Sequence, residues 1–260
     1  YHSHRTGGEV IFNMDPLWAA CDFVGIDNYL PLTDWRDGTD HLDYDAAAGA
    51  TTPYDPAYLR RGVEGGEYFD WFYADQAARD AQLRTPIEDL AHGEPWVFRQ
   101  KDIRGWWASA HHDRPGGVRS ATATAWTPEG KPIRFTEYGF PALDKAANQP
   151  NVFYSPKSSE SAVPHYSTGR RDDFMQRQAI RALLAHWAAN NPASSVYAGP
   201  MLDLEECALW AWDARPWPEF PTLEGVWSDG ADYRGGHWIS GRAGAAVLAE
   251  TLRHRLVHVE

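Results

Sequence analysis

Lys131-Pro132-Ile133-Arg134-Phe135-Thr136-Glu137-Tyr138-Gly139-Phe140-Pro141 decides how this chain is read. Ile133 to Tyr138 is a short apolar run. Pro132 precedes it, and Gly139 and Pro141 close it. That pattern predicts a buried strand of parallel-sheet type with a sharp turn after it. A carboxylate, Glu137, stands at the end of the run. Two other segments have the same form. In Cys21-Asp22-Phe23-Val24-Gly25-Ile26-Asp27-Asn28-Tyr29-Leu30-Pro31-Leu32, the apolar residues Phe23, Val24 and Ile26 lead into Asp27, Asn28 and Tyr29. In residues 207–216 a run from Cys207 leads to Trp210, Trp212 and Asp213.

Between and after these strands the spacing is helical. Residues 56–82 carry Tyr58, Leu59, Phe69, Phe72 and Tyr73, interrupted by Gly65-Gly66. Residues 95–110 repeat Trp and Ile at three- and four-residue steps. Residues 170–190 form the strongest helical pattern, stopped before Asn191-Pro192, and 243–256 a last one. Residues 118–130 predict a small hairpin closing at Thr127-Pro128-Glu129-Gly130. Residues 142–169 predict a long functional or mobile loop. Strands alternating with helices call for an α/β fold, a parallel sheet with helices outside it. If the sheet is a (β/α)8 barrel, the three strand tips line one mouth. Three strands are too few to close it. The expectation is a single domain over 1–260 that lacks its early strands. The chain opens on Tyr1 without an initiator Met, which agrees with a piece of a longer protein.

Composition narrows the function. Net charge is −12, which disfavours nucleic acid, because phosphate binding needs clustered Lys and Arg. No apolar run is long enough for a membrane span, and no signal peptide is present. The 13 Trp, 12 Tyr and 10 Phe supply core volume and also flat platforms for sugar rings. Cys21 and Cys207 read as reduced, buried thiols, with one disulfide the alternative. The histidines lack tight metal-ligand spacing. His111-His112-Asp113 is a helix-stop cluster first and a metal site second. P-loop, GxGxxG and GxSxG motifs are missing, so phosphoryl transfer, dinucleotide chemistry and α/β-hydrolase chemistry gain no support. No metal and no cofactor is implied.

Glycoside hydrolysis uses two carboxyl groups flanking the scissile bond, about 5–5.5 Å apart in retaining enzymes. Glu137 is the best-placed candidate. Its other reading is a carboxylate held by Arg134 or by loop amides. Asp27 reads first as a loop cap, and Asp213 first as an ion-pair partner of Arg215 or Arg242.

Pro132, Thr136, Glu137 and Gly139 resemble the strand-seven motif of clan-A glycoside hydrolases, whose Glu is the nucleophile. Residues 22–29 resemble their strand six, and Trp210 or Trp212 the aromatic platform of strand eight. Longer runs, 15–38, 136–153 and 209–221, are similar to the glycoside-hydrolase-like TIM-barrel domain of gene transfer agent and phage tail-tip (hub) proteins. The resemblance implies a retaining glycosidase of the bacterial envelope polysaccharide, carried on a phage-like tail assembled in the cytoplasm beside other tail-tip or baseplate proteins. It implies Glu137 as nucleophile. Asp27, Asn28, Tyr29, Tyr138, Trp210, Trp212 and Asp213 would contact substrate. The acid/base Glu would come from strand four, ahead of Tyr1, unless Glu205, Glu206 or another carboxylate replaces it. The alternatives are a non-catalytic carbohydrate-binding module and a structural element of a tail hub.

Overall fold

A computed structural model describes residues 9–152, 161–210, 218–227 and 230. The elements in chain order are β1 (Val24–Asn28), α1 (Pro56–Arg61), β2 (Trp71–Phe72), α2 (Gln76–Asp80), β3 (Thr85–Pro86), α3 (Ile103–Ala108), β4 (Ile133–Tyr138) and α4 (Asp173–Asn190). The predicted final helix at 243–256 lies outside the described residues. Among those residues the architecture is mixed α/β without a closed barrel. β1 and β4 form one two-stranded sheet, and β2 and β3 another, antiparallel. No described helix is long and apolar enough to cross a membrane.

The chain divides into two compact units. The first is Tyr1–Ile26, Tyr68–Phe135 and Trp187–Cys207; the second is Asp27–Glu67, Thr136–His186 and Ala208–Glu260. β1 and β4 each start in the first unit and end in the second. Their bonds advance together: Val24 N–H donates to the Pro132 carbonyl, and further along Thr136 Oγ1 donates to Asp27. That order is the one parallel strands give.

Of the third predicted strand, 207–216, the described residues reach Trp210, and it pairs with β4 at Leu209; a second parallel bridge to β4 lies ahead of it, at Leu202. In the first unit Ile133 pairs in parallel with Leu202, and in the second Tyr138 pairs in parallel with Leu209. A 3₁₀ turn, Leu204–Glu206, separates the two bridges. There the Cys207 thiol replaces a backbone partner: its Sγ accepts from the Phe135 amide at 3.2 Å and donates to the Asp203 carbonyl at 3.3 Å. Cys207 is buried, whereas Cys21 is partly exposed rather than buried as expected; both thiols are free.

In the first unit Val10, Phe12 and Val97 form a core with Trp96, Phe98 and Trp106 packed on it. His111 is sandwiched between Phe12 and Trp126, with ring centroids at 4.4 and 5.2 Å. The helix expected over 95–110 splits into a 3₁₀ turn, Pro95–Phe98, and α3. The break falls where Asp102 turns to cap α3, accepting from the Gly105 amide at 2.8 Å. The hairpin expected at 118–130 contains no strand. Its amides bond elsewhere, Thr124 to the His111 carbonyl and Glu129 to that of Trp107. The turn itself forms: Gly130 donates to the Thr127 carbonyl at 2.9 Å.

In the second unit Trp35, Ala50 and Tyr58 pack with Tyr44. The helical spacing of 56–82 yields only α1 there and α2 in the first unit, each capped by an aspartate, Asp55 and Asp75. Gly66 and Tyr68 adopt positive φ, +72° and +64°, and turn the chain between them. α4 matches its prediction closely. Asp172 caps it by accepting from the Met175 amide at 2.9 Å. Met175, Ala179, Ile180, Leu183 and Trp187 form its buried stripe. Pro192 follows its end, since proline cannot continue the ladder.

Candidate functional site

The C-terminal ends of β1 and β4 bring Asp27, Asn28, Tyr29, Glu137 and Tyr138 into the second unit. β4 buries Ile133 and Phe135, residues of one face, and this alternation fixes the register that puts Glu137 at the tip. The Tyr29 hydroxyl donates to Glu137 Oε2 at 2.9 Å. Glu137 makes no ion pair among the described residues. Arg134, its expected alternative partner, instead binds Asp203 at 3.0 Å and stacks on Phe23. Asp27 accepts from Thr136 Oγ1 at 2.8 Å, across the strand pair rather than as the cap of its own loop.

Burial raises the Tyr29 phenol pKa above its ordinary range, and the hydrogen bond and charge of Glu137 and the charge of Asp27 raise it further. Tyr29 therefore remains a neutral donor beside two carboxylates. It orients Glu137 without quenching its charge, which an arginine would do.

Trp210 follows directly. Its amide donates to the Tyr138 carbonyl at 2.8 Å, and the Tyr138 amide donates to that of Ala208 at 3.1 Å. This pairing places an exposed indole, 44% accessible, beside the strand end that carries Glu137. Asn28 and Tyr138 are buried, at 7% and 1% exposure, and shape the tip from beneath. Trp212 and Asp213 lie outside the described residues. Glu206 lies 3.9 Å from Arg134.

The loops that leave the two strands are joined by residues the sequence did not single out. Asn148 uses its whole side-chain amide. Its Oδ1 accepts from Thr33 Oγ1 at 2.6 Å and the Trp35 amide at 2.9 Å; its Nδ2 donates to the carbonyls of Trp35 and His165 at 2.8 and 2.9 Å. Leu32 and Thr33 amides donate to the Ala147 carbonyl. Lys145 bridges Asp37 at 2.9 Å and Asp144 at 3.2 Å. Despite the cost of burial, Asp37 and Asp144 raise the Lys145 pKa; Thr168, Ser167 and Lys145 hold Asp144 below its ordinary value. The signal for this clasp was present in Ala142-Leu143 and Ala146-Ala147-Asn148, small apolar residues ending on an amide, all of them buried.

His111, His112 and Asp113 turn to three different partners. His111 lies between Asp15 at 2.8 Å and the Trp106 carbonyl at 2.7 Å, His112 faces the Ser120 carbonyl, and Asp113 accepts from the Phe12 amide. Among the described residues no group of three His, Cys, Asp or Glu is arranged to hold a metal ion.

No curated protein matches the sequence. The family model of the GTA TIM-barrel-like domain matches residues 1–221, which include every strand of the described residues and Glu137. The chain therefore belongs to the GTA TIM-barrel-like domain family, the gene transfer agent family that its strand motifs resemble.

Proposed function

We propose that this chain supplies strands six to eight of a (β/α)8 barrel and that Glu137 is the nucleophile of a retaining glycosidase. The observation that carries the reading is Glu137 at a parallel strand tip, held by one neutral donor, Tyr29, at 2.9 Å. Oε2 accepts from that donor, which leaves Oε1 for attack. Glu137 would bond to the anomeric carbon as the glycosidic C–O bond breaks. A second carboxyl group would protonate the leaving oxygen, and water would then hydrolyse the glycosyl ester. The clan-A resemblance assigns that acid to strand four. The substrate would be envelope polysaccharide. The setting would be the tail tip of a phage-like particle, assembled in the bacterial cytoplasm with other tail-tip or baseplate proteins.

Exposed Trp210 favours a second reading, a glycan-binding module without turnover. Release of reducing ends from purified envelope polysaccharide separates the two. The assay is run with this chain alone and within the complete tail-tip polypeptide. Glu137→Gln is expected to lower turnover by roughly 10⁴- to 10⁶-fold, as loss of a nucleophile does elsewhere. Full turnover in that variant sinks the nucleophile. Saturable binding with no turnover in the unaltered protein selects the binding module, and absence of both selects a structural hub element.

A further inference from the structure

We infer that Asp37-Gly38, in the loop after β1, is a self-modification site at which the aspartate turns into isoaspartate, with water the only co-reactant.

Asp-Gly is the step at which this chemistry is easiest, because glycine has no Cβ and lets its amide swing onto the aspartate side chain. The chain has two such steps, Asp37-Gly38 and Asp229-Gly230. The fold treats their glycines oppositely. Residues 37–40 are all exposed, and the Asp37 side chain is 81% accessible. Gly38 has a φ of +83°, and a Cβ built there would meet open space among the described residues. Gly230 is buried. Its amide donates to the Trp227 carbonyl at 2.9 Å, and a Cβ there would collide with the Pro221 carbonyl. An amide that attacks must give up its proton and needs room to turn. Gly38 has that room; Gly230 is packed, with its proton committed.

The Gly38 nitrogen bonds to Cγ of Asp37 and loses its proton, and one carboxyl oxygen leaves as water, which closes a succinimide ring. Water then opens the ring. Addition at Cγ restores aspartate. Addition at the main-chain carbonyl carbon breaks that carbon's bond to the Gly38 nitrogen, and the chain now runs through Cβ and Cγ. One water leaves and one returns, so mass is unchanged. The new carboxylate sits directly on Cα. The change bears on a bridge between the loops that leave β1 and β4, since Asp37 Oδ1 meets Lys145 at 2.9 Å and Lys145 also holds Asp144.

The test stores the purified chain, folded and in urea, for several weeks at about pH 6, above the range where acid protonates its carboxylates. The chymotryptic peptides that follow Trp35 and Trp227 contain the two sites. Isoaspartate in each is read by labelling with an isoaspartyl methyltransferase and placed by electron-transfer fragmentation. In urea both peptides should gain it. In the folded chain the Asp37 peptide should still gain it, and the Asp229 peptide should lag by at least about tenfold, since it reacts only after local opening. Asp37→Glu keeps a carboxylate for Lys145 but closes the ring far more slowly, and it should lose the signal of the first peptide. Signal that persists in that variant belongs to Asp40 and overturns the assignment. Equal rates at the two sites in the folded chain, or labelling at Asp37 only in urea, overturn the inference.

Discussion

In the first unit Asp89 and Glu94 are tied to arginines, whereas the strand-tip carboxylates of the second are tied to neutral hydroxyls. In the first unit Arg114 holds Asp89 at 2.8 Å and Glu94 at 2.7 Å, and Arg119 holds Glu94 again at 2.7 Å. At the tips, Glu137 has a phenol for its partner and Asp27 a threonine hydroxyl. Asp89 and Glu94 serve the fold through arginine, as the helix-capping Asp55 and Asp75 do through backbone amides.

The comparison breaks first at Arg114, which is 3% exposed. Arg114→Met leaves Asp89 without its buried cation and Glu94 with Arg119 alone, and should cost about 3–5 kcal/mol, read by urea denaturation. A loss below about 1 kcal/mol would show that Asp89 tolerates the lack of a cation as Asp27 and Glu137 do. Next comes Asn148→Ala. It strands the Trp35 amide and carbonyl and should cost about 2–3 kcal/mol, with faster hydrogen exchange at Trp35 as a local readout.

Acid sharpens the contrast further. Burial works against ionisation of Asp89, yet Arg114 and the amides of His92 and Glu94 bring its pKa below the ordinary 3.8. Arg119 brings Glu94 below 4.5, against burial and with help from Arg114. For both groups the unfolded chain takes up protons first as pH falls. Their contribution is complete above about pH 5 and is lost as pH drops through 4.5 and 3.8 toward the folded values. Tm should hold level down to about pH 5 and then fall, and Arg114→Met should flatten the fall. The smallest effect belongs to the tips. Glu137→Gln and Asp27→Asn should leave stability within about 0.5 kcal/mol, so a large loss of binding or turnover in them would be free of unfolding.

Much of the site was legible because strands carry their own signal. The run from Ile133 to Tyr138 and the residues around Asp27 are short and apolar, and they end in polar residues. Their tips meet where that pattern placed them. α4 was legible because Pro192 and a buried stripe leave little choice. The thiol that accepts from the Phe135 amide was not, since residue spacing does not record such a contact. The long stretch 56–82 misled through periodicity alone. Its aromatic residues fell at helical steps, but Gly66 and Tyr68 turn the backbone to positive φ between two short helices. The Asn148 clasp depends on contacts more than a hundred residues apart in sequence, a partnership no local window contains.

The two cysteines make the protein its own stopwatch. Cys21 is within partial reach of a thiol reagent, while Cys207 is occupied against the Phe135 amide inside the β4 pairing. Modification should therefore be biphasic. The slow phase would time how often the segment around Cys207 lifts away from β4.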